Sequence, residues 1–145
     1  MSSENTKINA EIIVEVLGRP KEHLVKTLEG LIDQMDKEKG VKVEGKKIHE
    51  PNPVKNKENF FSSYAQIELE LEEIIHLILI LFKYMPSNVE ITYPEKVLLK
   101  NMDMSEMFNE ITRRLHKYDE VARIMEAEKK ILENKLKSVK EKSSE

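Results

Sequence analysis

The chain has 145 residues, enough for one ordinary domain with an appendage and too few for two full domains. Hydrophobic residues make up 39% and charged residues 35%, and 24 basic against 27 acidic side chains leave a net charge of -3, which supplies no long-range field for capturing nucleic acid or an anionic membrane. The absence of cysteine excludes disulfides, thiolate zinc sites, iron–sulfur clusters and cysteine nucleophiles; it fits a reducing compartment, so the expected location is cytoplasmic. The polar start, Met1 to Lys7, carries no signal-peptide pattern.

Ile8, Ala10, Ile12, Val14 and Val16 alternate with Asn9, Glu11, Ile13 and Glu15, the period of a half-buried strand. Gly18 ends it, and Pro20 suits the first turn of a helix, where its missing N–H needs no partner. Leu24, Leu28, Leu31, Ile32 and Met35 then recur at helical spacing up to a stop at Gly40. Val41 and Val43 begin a second strand, and His49 to Asn59 reads as a long polar loop. Phe61, Ser63, Ala65, Ile67, Leu69 and Leu71 form the next inward row, opposed by Ser62, Tyr64, Gln66, Glu68 and Glu70. The apolar run Ile74 to Phe82 is far short of the roughly 20 residues a bilayer needs. Glu72 and Glu73 suit the first turn of a helix and Pro86 its exit, and this helix, apolar nearly all round, needs a cover on its outer face. Val89, Ile91 and Tyr93 give a last strand, which Pro94 assigns to a sheet edge.

The order β-α-β-β-α-β predicts an α+β fold. The expected architecture is a ferredoxin-like antiparallel sheet with two helices on one face over residues 1–100, followed by a long C-terminal coiled-coil helix with a frayed end over residues 101–145. Asp103 and Glu106 outline a capping box, and no Gly or Pro follows Asn101. From Phe108, a strict three–four spacing runs through Ile111, Leu115, Tyr118, Ala122, Met125, Lys129, Leu132, Leu136 and Val139, and Lys129 alone is not apolar. A seam of period 3.5 is the pattern of a coiled coil. Met104 to Val139 would span about 54 Å, against a diameter of roughly 35 Å for a hundred-residue domain, so the half beyond Met125 cannot be covered by its own domain. The expected partner is a second copy in a homodimer, with parallel pairing preferred although periodicity does not separate parallel from antiparallel. The competing reading packs the first half on the sheet domain and lets a polar tail fray. Lys129 favours that reading, and Val121 and Ile124 widen the stripe over the proximal half.

Candidate chemistry is sparse. Gly18, Arg19, Lys21 and His23 lie where a Gly-containing turn enters a helix N-terminus, an arrangement that attracts anions, though the same residues are ordinary strand-to-helix punctuation. Glu11, Glu15, Glu68, Glu70 and Glu90 are expected together on the outward sheet face, where they would repel phosphate and exclude nucleic acid from that face. Oxygen ligands in such a row suit a hard cation, but a solvated face, or one met by Arg113, Arg114, Lys117 and Arg123, is the commoner outcome. His23, His49, His76 and His116 share no ligand spacing, so no metal and no cofactor is expected. No acid, base and nucleophile can be named, which makes an enzyme the least supported class. The basic loop from Lys46 to Lys57 could still touch a nucleic-acid backbone.

The segments VLGRPKEHL, FFSSYAQIELELEE, FKYMPSNVEI and ITRRLHKYDEVARI resemble small archaeal proteins of unassigned function across nearly the whole chain. That resemblance implies a ferredoxin-like domain with a helical extension and brings no activity. The Gly18-Arg19-Pro20 turn is also similar to the ligand loop of ACT regulatory domains, with Lys21 where that motif usually has Gly. The leading expectation is a non-enzymatic, homodimeric adaptor or regulatory binding module. An ACT-like sensor of a small anion or amino acid, and an accessory protein of a ribonucleoprotein or other large assembly, are the alternatives.

Overall fold

A computed structural model describes residues 7–144 of the chain; the polar segment Met1 to Thr6, where a targeting signal would begin, lies outside them. The protein is α+β, with an antiparallel sheet of five strands and three helices, the last of them long and C-terminal. In chain order the elements are β1 (Ile8–Gly18), α1 (Lys21–Asp36), β2 (Val41–Ile48), β3 (Asn52–Pro53), β4 (Phe61–Leu71), α2 (Ile74–Tyr84), β5 (Asn88–Tyr93) and α3 (Asn101–Ser143). One compact unit ends at Lys100 and a second begins at Asn101.

The sheet runs β2-β4-β1-β5, with β3 added beside β4, and every pairing is antiparallel. Its centre is the β1–β4 ladder, eleven residue pairs from Ile8 opposite Leu71 to Gly18 opposite Phe61. Alternation fixes this register, because a slip of one residue would turn Ile12, Val14, Ile67 and Leu69 to solvent. Those rows are buried on the helix side with Ser63, whose hydroxyl donates to the His49 carbonyl at 2.7 Å. Leu24, Leu28, Ile32 and Met35 of α1 and Leu77, Ile80 and Tyr84 of α2 are buried as well, at the spacing that puts one helical face on a core. On α2, Ile75, Ile78, Leu79 and Phe82 stay half-buried, so its apolar outer flank is only partly covered.

Three local expectations need correction. Pro20 is the N-cap of α1 and not its first helical residue, because its ψ of 166° is extended; its carbonyl accepts the first turn's N–H from His23 at 3.0 Å. The segment His49 to Asn59 is not all loop. β3 pairs Asn52 with Ser62 and Pro53 with Phe61, the Val54 N–H donates to the Phe60 carbonyl, and Asn56 and Asn59 take the left-handed conformations that close the turn. Glu73 caps α2 from outside it: its carboxylate accepts the backbone N–H of His76, while the Glu73 N–H donates to His76 Nδ1 at 3.2 Å.

β5 is an edge strand with all six residues exposed. Ala10 faces Ile91 and Asn9 faces Tyr93, which leaves Thr92 as an extra residue that kinks the edge. The opposite edge, β2, carries its own irregularity between Val43 and Gly45. Two elements far apart in sequence are joined near the start of β2: the Glu38 carboxylate accepts from Lys83 Nζ at 2.5 Å and from the Tyr84 hydroxyl at 2.8 Å.

Candidate functional site

α3 is 43 residues long, about 65 Å at 1.5 Å per residue, and none of its residues is buried. Freedom from Gly and Pro allows that length, and acidic Asp103 near the start with Lys140 and Lys142 near the end match the helix dipole. Intrahelical ion pairs support it: Glu110 with both Arg113 and Arg114, Asp119 with Arg123 at 3.1 Å, and Lys129 with Glu133 at 4.0 Å. The hydrogen bond from Arg114, aided by the charge of Arg113, holds the Glu110 carboxyl below the usual carboxylate range.

Along this helix the three–four row stays open. Leu115 is 55% exposed, Met125 62%, Leu132 65%, Leu136 58% and Val139 62%. Phe108 and Tyr118 are exposed too, Ile111 is half-buried and Ala122 is exposed. Isolated exposed apolar residues are ordinary; a continuous row of them on one helix face marks an association surface. Met125, Glu128, Lys129, Leu132, Glu133 and Leu136 line a shallow hollow on its distal part.

The strand-to-helix loop offers less. Gly18 has φ +157°, a conformation L side chains rarely adopt, and it is half-buried; Arg19, Lys21 and His23 are exposed. These residues adjoin along the chain at the entry to α1.

On the outward sheet face Glu11 lies in register between Glu68 of β4 and Glu90 of β5, so three carboxylates form a row as expected. Glu15 lies opposite Tyr64, and Glu70 opposite Asn9. The Glu70 carboxylate pairs with Lys7 at 2.9 Å, and within α3 Arg113 and Arg114 pair with Glu110 and Arg123 with Asp119. The hydrogen bond from Lys7 lowers the Glu70 carboxyl from its ordinary range. Among the described residues no group of three or more His, Asp or Glu side chains could hold a metal ion. At one end of this face the His49 ring stacks on Tyr64 with centroids 4.1 Å apart, and its Nε2 lies 3.1 Å from Gln66 Oε1. No local pattern signals this trio, because it depends on β2 continuing to Ile48 beside Ala65.

No described helix is long and apolar enough to cross a membrane. Neither a curated protein nor a solved structure matches the chain. A protein-family model matches residues 9–142, which takes in both the sheet unit and nearly all of α3, and the chain belongs to the MJ0538 family.

Proposed function

We infer that this protein is a non-enzymatic, homodimeric binding module in which α3 joins two copies of the sheet unit, the pair serving as an adaptor or regulatory platform in the cytoplasm. The observation that carries the reading is the open seam of α3: a continuous helix of 43 residues, none buried, with apolar side chains at nine of ten seam positions. A seam of that period is satisfied by another helix, and a second copy always supplies one. With β3 set aside, the first unit runs β-α-β-β-α-β through antiparallel strands, which supports a ferredoxin-like reading of it. The glutamates of the outward face support a protein partner over a nucleic acid there.

Sedimentation equilibrium of the full chain at high micromolar concentration tests the reading. The expected species is about 34 kDa, twice the 17.0 kDa of one chain. A single 17.0 kDa species at that loading overturns it.

A further inference from the structure

We propose that two copies of α3 pair antiparallel over their distal halves, with Lys129 of each set against Leu132 of the other. This rests on the self-association reading above and adds the orientation and register of the second copy, replacing the parallel preference drawn from periodicity.

Parallel, in-register pairing sets each seam residue against itself, so Lys129 would meet Lys129 inside an apolar row. The flanking positions then repeat the conflict: Glu128 falls beside Glu133 of the other copy, and Lys135 beside Lys140. One flanking pair attracts, Arg114 with Asp119, but Arg114 is already bonded to Glu110 of its own helix at 2.8 Å. Like charges thus gather at three levels of the same distal stretch.

Antiparallel pairing about a two-fold axis between residues 130 and 131 removes most of this. Ala122 faces Val139, Met125 faces Leu136, and Lys129 faces Leu132, so the lysine stem lies on an apolar side chain while its ammonium reaches outward. Its own Glu133, 4.0 Å away, accompanies it. Reversal also brings like flanking rows together, and in this register Glu128 falls beside Lys135 and Asp119 beside Lys140, each pair occurring twice. Only Glu126 beside Glu133 stays unfavourable.

The hollow on the distal part of α3 is centred on the same axis. The hollow lined by Met125, Glu128, Lys129, Leu132, Glu133 and Leu136 maps onto itself when the helix is reversed about that axis: Met125 exchanges with Leu136, Glu128 with Glu133, and Lys129 with Leu132. An antiparallel pair about that axis therefore sets each lining residue level with another residue of the same hollow. Phe108, Ile111 and Leu115 lie outside the contact.

The chain has no cysteine, so single-cysteine variants report proximity without background. An equal mixture of A122C and V139C should form a mixed disulfide under mild oxidation, and neither variant alone should cross-link. Parallel pairing predicts the reverse, a disulfide in each variant alone and none between them, and that result overturns the proposal. A dimer that cross-links in no combination overturns it too. Charge reversal gives a second sign test: K135E should weaken association roughly three- to tenfold by meeting Glu128, and E128K in the same chain should restore it. In a parallel pair K135E meets Lys140 and tightens association, which overturns the proposal. Sedimentation of each variant before oxidation separates the two readings, since a monomer there means that self-association itself has failed.

Discussion

Replacing Leu132 by aspartate strikes the centre of the α3 seam. In the single chain Leu132 is 65% exposed, so association has about two-thirds of a leucine side chain left to bury in each copy. Full burial of a leucine contributes about 1.5–3 kcal/mol, which gives about 1–2 kcal/mol per copy and about 2–4 kcal/mol per dimer. A tenfold change in affinity corresponds to about 1.4 kcal/mol, so the lost contact alone weakens the dimer roughly thirty- to several-hundredfold. In the antiparallel register each new carboxylate faces Lys129 of the other copy, which offsets part of that loss, about 0–1 kcal/mol per pair. The sheet unit ends at Lys100 and holds the whole buried core, so its folding should be untouched. The assay is a concentration series in sedimentation velocity, run beside urea unfolding followed through the sheet's far-ultraviolet signal. A Leu132→Asp protein that stays dimeric at the wild-type midpoint, or one that loses its sheet, refutes the reasoning.

Three further outcomes test the sheet unit. Gly40 has φ +74°, and a Cβ there would come within 2.5 Å of the His76 ring, so Gly40→Ala should cost about 2–3 kcal/mol in urea melts; in a His76→Ala background the cost should fall to about 1 kcal/mol of backbone strain, and an equal cost in both backgrounds would contradict the contact. Gly30 lies inside α1, and nothing lies within 4 Å of the place a methyl group would take, so Gly30→Ala should stabilise by about 0.5–1 kcal/mol and raise the melting temperature. Glu38 is held below the usual carboxylate range by hydrogen bonds from Lys83 and Tyr84. Its contribution is therefore complete above about pH 5, beyond the unfolded carboxyl value of about 4.3, and is lost as the pH falls through the lower folded value. Wild type should lose stability on that descent more steeply than Glu38→Gln, as read by urea midpoints across the range, and parallel profiles would show that the contact contributes nothing.

Periodicity is a local property, and it carried far in this chain. The alternation of β1 and β4, the single buried face of α1 and the edge position of β5 follow from residues a few positions apart along one element, whereas the glutamate row around Glu11 also needed the strand order that the β-α-β-β-α-β motif implies. The seam of α3 was legible for the same reason, since a row at three–four spacing needs only a continuous helix to become a surface. What the tertiary structure decided is where separate elements meet. The two residues of β3 beside Phe61 and Ser62, the extra Thr92 on β5, the stacking of His49 on Tyr64 and the grip of Lys83 and Tyr84 on Glu38 all depend on pairing register or on helix ends brought together. Lys7 reaches Glu70 across 63 positions of sequence, and hydrophobic pattern, which says which face turns inward, does not say which distant charge will lie beside it.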